Sequence, residues 1–169
     1  SALGESLSRG ECIKGAEQVV DLRTKFRNLS DILDRKLSQG ELTYSRYLGT
    51  AESVFNSAIK NLEQVLTLLI FLRDNDLQQL SDEITRLKRS RVRTPNQNRE
   101  LTTLEKRYSL YQESQTELEG LLASNEEAIT ALDQVSSAAT DISNDSSAMD
   151  EAMQALSRLV MVTERTKLK

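Results

Sequence analysis

The stretch "TPNQNRELTTLEKRYSLYQESQTELEGLLASNEEAITALDQVSSAATDI", residues 94–142, decides the fold. Leu101, Leu104, Tyr108, Tyr111, Gln115, Leu118, Leu122, Asn125, Ile129, Leu132, Ala139 and Ile142 keep a heptad spacing almost without slippage, which holds one face of a helix together. Thr94 can cap that helix, Pro95 suits its first position, and Gln97 completes a capping box with Thr94. Pro95 also pushes Thr94 away from helical geometry, closing whatever helix precedes. From Pro95 to Ile142 the helix would measure about 72 Å at 1.5 Å per residue. Gln115 and Asn125, at core positions of the repeat, are expected to set register.

The remaining segments are shorter. Val19, Leu22, Phe26, Leu29, Leu33 and Leu37 predict a helix from about Gly10 to Ser38, with Gly40 expected as a left-handed C-terminal residue. Tyr44, Leu48, Ala51, Phe55, Leu62, Leu66 and Leu69 predict a second from about Thr43 to Arg73. Gly49 inside it implies either a close neighbour or a bend. "RDND" (73–76) is expected to break or kink the helix before a shorter one carrying Leu77, Leu80, Ile84 and Leu87. "SNDSS" (143–147) is expected to separate the long helix from a last one with Met149, Met153, Leu156 and Val160, although the heptad register continues through it and leaves one uninterrupted helix open.

These lengths imply an architecture. Helices of about 44 and 46 Å cannot cover one of about 72 Å, and short connections make sequence neighbours antiparallel. The expectation is one all-α domain over residues 1–169, an elongated antiparallel helical bundle with one very long helix. A coiled-coil hairpin, about 77–115, should project from it. "VLTLLIFL" (65–72) holds seven apolar residues in eight, so it should be central to the bundle or covered by a second subunit, leaving a homodimer open.

Composition agrees. Aromatic residues make up 4%, Trp is absent and Pro occurs once, so the β-branched, aromatic and turn-rich pattern of sheet proteins is missing. The single Cys12 precludes an internal disulfide and suits a reducing, cytoplasmic setting. No signal-peptide pattern is visible, and the first residue is Ser1, which leaves a preceding segment open. The longest apolar run falls well short of the roughly 20 residues of a membrane-spanning helix, so no transmembrane segment is expected.

The chemistry is bounded by absences. Without His there is no Ser-His-Asp or Cys-His arrangement, and no imidazole metal ligand. "GECIKG" (10–15) has the outline of a phosphate loop, but Ala16 and Glu17 follow where Lys and Ser/Thr are required. Glu126–Glu127 and Asp82–Glu83 are adjacent on helices, so each pair diverges instead of converging on one substrate atom. Cys12 has only Lys14 as a basic neighbour, and Met149 and Met153 read as core filler. No catalytic, metal or cofactor site is expected.

Charge offers the one functional pointer. The net charge is −4, yet Arg86 to Arg107 contains eight basic and two acidic residues, while Tyr108 to Ser157 contains ten acidic residues and no Lys or Arg. Arg86, Lys88, Arg89, Arg91, Arg93 and Arg99 gather at the expected hairpin tip. Arg86, Lys88, Arg89, Arg91 and Arg93 lie just before a capped helix start, and none of their charges is expected to be needed for the fold. They suit an acidic protein surface or anionic lipid headgroups. Nucleic acid fits less well, because no aromatics are interleaved for base stacking and the acidic flank repels phosphates.

"GELTYSRYLGTAESVFNSAIKNLEQVLTLL" (40–69) and "LEKRYSLYQESQTELEGLLASNEEAITALDQV" (104–135), about a third of the chain, resemble bacterial helical proteins of the XpaC type, found alongside the toxic-anion (tellurite) resistance family. The resemblance implies a cytoplasmic helical protein linked to envelope or oxyanion stress. XpaC-type proteins are named for hydrolysis of a chromogenic phosphate ester, but no active-site motif carries over, and no nucleophile here has a base beside it. The expectation is a non-catalytic interaction or scaffold module. An anion-binding protein using the basic tip is the alternative, and a phosphate-ester hydrolase comes third.

Overall fold

The computed structural model describes residues 2–9, 12–73, 77–141 and 146–166, with side chains only at 147–159 in the last segment. Among them all regular structure is helical: α1 (Ala2–Arg9), α2 (Ile13–Lys36), α3 (Leu42–Arg73), α4 (Leu77–Arg89), α5 (Pro95–Thr140) and α6 (Ser146–Thr166). The all-α class follows as expected. Two expected breaks fall mostly outside the described residues, at 74–76 and 142–145. On their near sides α3 reaches Arg73, and α5 ends with the Asp141 N–H on the carbonyl of Ala138. From Ser146, α6 lies back against α5 and α3.

The helices form two cores strung along α5. The larger gathers Leu22, Leu29, Leu33, Ala51, Val54, Leu62, Val65, Leu132, Val135, Met149 and Leu156 from α2, α3, α5 and α6. The smaller holds Leu80, Ile84 and Leu87 of α4 against Leu101, Leu104 and Tyr111 of α5. Among the described residues α4 packs along α5, with Leu72 from the end of α3 closing the base of their cluster. At 46 residues α5 is about 69 Å long. Its first third, with α4, therefore stands beyond the bundle as a two-helix finger.

Directions follow from cross-helix contacts. Asn61 meets Asn125, Gln64 meets Glu117 and Phe71 meets Tyr111, so α3 and α5 are antiparallel. Gln18 donates to the Leu122 carbonyl and Lys25 pairs with Asp133, which sets α2 parallel to α5. Asp150 lies beside Arg46 and Tyr47, and Leu159 beside Val54, so α6 runs parallel to α3. The α3–α5 pair is the centre, with α2 and α6 on opposite sides of it.

Val65 and Leu68 are buried there, so most of the apolar run is central, but Ile70 and Phe71 are exposed where α3 outruns its neighbours. The stripe expected on α3 is displaced by one row. Tyr47, Ala51, Val54, Ala58, Leu62 and Val65 are the deepest, while Tyr44, Leu48, Phe55, Leu66 and Leu69 flank them. A helix covered on several sides buries a broad face, and a single stripe underestimates it.

The expectations for Gly40 and Gln115 are corrected, the close neighbour is excluded at Gly49, and a further helix is added at the N-terminus. The N-terminal segment 2–9, left unassigned by periodicity, is a helix, and Leu7 from it is fully buried. Gly40 has no left-handed backbone. The chain leaves α2 through extended Leu37 (φ −125°, ψ 152°), and the turn is closed by the Glu41 N–H on the Ser38 carbonyl. Gly49 has no close neighbour, since a Cβ there would meet open space; the tight glycine is Gly15, where a Cβ would sit 3.0 Å from Cys12 Sγ and 3.4 Å from Leu7 Cδ2. Gln115 is exposed and hydrogen-bonds Glu119, while Ser114 takes the buried position. The reason lies in α5 itself, which changes partners near this point, so its buried face rotates from α4 toward α2, α3 and α6.

Candidate functional site

The finger tip is a five-residue turn between two helix ends. Arg86, Lys88 and Arg89 lie in the last turn of α4, where cations complement the exposed carbonyls of a helix C-terminus. Across the turn, Thr94 is extended (φ −71°, ψ 159°) and caps α5. Its hydroxyl accepts from the Gln97 N–H at 3.2 Å, and the Gln97 side chain accepts from the Thr94 N–H at 2.9 Å. This is the capping box expected from "TPNQ".

The six basic residues assigned to the tip divide into two sets. Three are engaged within the chain. Arg86 pairs with Glu83 at 3.6 Å, and Lys88 reaches across the hairpin to Glu105 at 2.8 Å. Arg93 turns inward. Its Nη1 donates to the Leu87 and Lys88 carbonyls at 3.1 and 3.4 Å, and its Nε to Asn98 Oδ1 at 3.0 Å. The expectation that none of these charges serves the fold is therefore wrong for Arg93, because it satisfies orphan carbonyls at the end of α4. The other three, Arg89, Arg91 and Arg99, are exposed and have no hydrogen-bonded or ionic side-chain partner among the described residues.

Sequence reasoning missed Val92. It is 86% exposed between Arg91 and Arg93, with its carbonyl accepting from Ser90 Oγ at 2.8 Å. The signal was available: an apolar residue in a turn of arginines has no core to face. The tip is a narrow cationic apex carrying one bare aliphatic group.

Two clefts lie elsewhere. One of about 420 Å³ runs along the finger between α4 and α5, lined by Ser81, Thr85, Lys88, Glu105, Tyr108 and Gln112. Another of about 490 Å³ separates α3 from α6, where the Tyr47 hydroxyl donates to Asp150 Oδ1 at 2.8 Å and Arg46 Nη2 lies 3.1 Å from the same oxygen. Burial, and then the hydrogen bond to Asp150, push the Tyr47 phenol above its ordinary range, with Arg46 opposing. This carboxylate is committed to two donors in its own chain.

The adjacent carboxylate pairs do not converge. Glu126 accepts from Gln18 and lies 3.8 Å from Lys14, while Glu127 is exposed; Asp82 accepts from Gln78, and Glu83 faces Arg86. Among the described residues no three potential ligands group as a metal site would require. No helix among them is long and apolar enough to cross a membrane. Comparison with family models, curated proteins and solved structures finds no match to this chain.

Proposed function

We propose that the chain is a non-catalytic docking module, in which the bundle anchors a finger whose basic tip engages an acidic surface on a partner protein. The supporting observation is the division among the tip residues. Arg93 and Lys88 hold the hairpin together, whereas Arg89, Arg91 and Arg99 are exposed at or near its end and have no counter-charge among the described residues. Exposed cations without an internal ionic or hydrogen-bonded partner are available to steer and orient a partner of opposite charge. The XpaC-like stretches would place such a module in the cytoplasm, near envelope or oxyanion stress.

A second reading rests on Val92. An exposed aliphatic residue flanked by arginines also suits an anionic lipid surface, where the charges meet headgroups and the valine enters the interface. The Arg89→Glu/Arg91→Glu variant tests both. Capture of a proteinaceous partner from native extract, lost in the variant and in high salt but indifferent to nuclease, supports the docking module. Salt-sensitive sedimentation with phosphatidylglycerol vesicles and no such capture favours the lipid surface. Binding unaffected by both charge reversal and salt rejects the tip as a working surface. Saturable hydrolysis of a chromogenic phosphate, surviving repeated purification, would reject the non-catalytic assignment.

A further inference from the structure

The face of α5 turned away from α4 carries a second regular stripe, which begins on the finger and runs on to Glu117 beside α3. Arg99, Thr103, Lys106, Leu110, Glu113 and Glu117 follow at steps of four, three, four, three and four, so they share one face of α5. The stripe is offset by two residues from the buried Leu101, Leu104 and Tyr111 and the half-buried Tyr108, about 200° around the helix at 3.6 residues per turn. All six stripe residues are exposed. Leu110, near the middle, is 51% exposed although its neighbours on the stripe are polar.

Charge along the stripe is polarised, with cations toward the tip and carboxylates toward the bundle. Neither cation has an ionic partner among the described residues, and Glu113 and Glu117 receive only neutral donors, Ser109 and Gln64. Lys106 and Glu113 are seven residues apart, about 10 Å along the axis, so the two halves cannot neutralise each other within one chain. A second copy laid parallel would set like charge on like. Laid antiparallel about a two-fold axis between Lys106 and Leu110, it brings Arg99 opposite the second copy's Glu117 and Lys106 within reach of its Glu113. The two Leu110 side chains then fall about one turn apart at the centre.

We propose that this stripe is a self-complementary dimerisation surface, pairing the fingers of two copies antiparallel along α5. The occupant is a second copy because the stripe's own charge order supplies the complement, as an isologous interface requires. The contact spans about 27 Å of one helix, short against standard interfaces, so the association is weak and salt-sensitive. In the dimer the two tips point in opposite directions, and each lies alongside the second copy's α5 near residues 123–127. The stripe shares Arg99 with the basic tip, whereas Lys106, Leu110, Glu113 and Glu117 belong to the stripe alone.

Sedimentation equilibrium of the whole chain tests this with two charge variants. Arg99→Glu/Lys106→Glu makes the stripe wholly acidic, and Glu113→Lys/Glu117→Lys makes it wholly basic. Wild type is expected to dimerise at low salt, with the association constant falling about tenfold or more as salt screens the pairs. Each variant alone is expected to stay monomeric with unchanged helicity, and an equimolar mixture to form a one-to-one complex. A wild type that remains monomeric at low salt and high concentration overturns the proposal. So does a dimer that survives in either variant, or variants that fail to associate when mixed.

Discussion

Arg93 lies folded back beneath the finger turn, with its guanidinium 3.1 Å from the carbonyl of Leu87, six residues earlier. One side chain thus closes the end of α4 and, through Asn98, ties it to the first turns of α5. Arg93→Ala leaves the Leu87 carbonyl without that donor, and loss of a charged hydrogen bond at a partly buried site is expected to destabilise by about 1 kcal/mol. Arg89→Ala and Arg91→Ala should each stay within about 0.5 kcal/mol. Urea denaturation of the three variants separates the structural arginine from its neighbours. Equal losses would contradict the division.

Asn125 is fully buried at the centre of α5 and bridges to α3. It donates to the Ala58 carbonyl at 3.1 Å and accepts from Asn61 at 3.0 Å. Asn125→Ala strands a buried donor and is expected to destabilise by about 2–3 kcal/mol. Replacing Asn61 and Asn125 together by Leu removes both polar partners, so the double variant should lose less than Asn125→Ala in the same denaturation experiment. A larger loss would mean that packing, not hydrogen bonding, governs this layer.

Gly15 lets α1 sit down on α2. Its missing Cβ would lie 3.0 Å from Cys12 Sγ, tighter than ordinary contacts. Gly15→Val should lift α1 and expose the buried thiol, so Cys12 is expected to react several-fold faster with a thiol reagent while helicity from α2 onward persists. An unchanged labelling rate would show that α1 adjusts without leaving.

Alkaline pH offers a separate handle on the bundle. The hydrogen bond to Asp133 foremost raises the Lys25 pKa, and burial and then Asp150 raise that of Tyr47. A group raised on folding keeps a proton that the unfolded chain has lost. Its stabilisation is fully present below the ordinary pKa near 10 and disappears as pH rises through the raised folded value. Stability is therefore expected to fall above about pH 10. Tyr47→Phe should weaken that dependence and, by losing the bond to Asp150, reduce neutral-pH stability by about 1 kcal/mol. A pH dependence identical to wild type would deny Tyr47 this part.

The long helix, its capping box and the projecting hairpin are legible in the sequence because each rests on local chemistry: Pro95 beside Thr94, Gln97 three residues on, and an unbroken repeat from Leu101. What is not legible depends on partners distant in the chain. Gln115 follows the repeat, yet only the change of partner along α5 explains why Ser114 is buried in its place. Gln18 carries no sequence mark of its hydrogen bond to Leu122, 104 residues away. Arg93 is indistinguishable by type from Arg91, and only the path of the turn sends one inward and the other out. The tip could be found from charge density, but its free members emerge only once the internal contacts are removed.

The two cores along α5 also differ in how far the chain must travel to make them. The finger joins α4 to α5 across a five-residue turn, so its closure sacrifices little chain entropy. The bond between Gln18 and Leu122 closes a span of 104 residues, and the one between Tyr47 and Asp150 a span of 103. Contacts of short separation form sooner, so the finger is expected to assemble first during folding. The hairpin would then serve as the nucleus that propagates α5 toward the larger core, and slowing its closure, as with a longer turn after Ser90, should delay the whole chain.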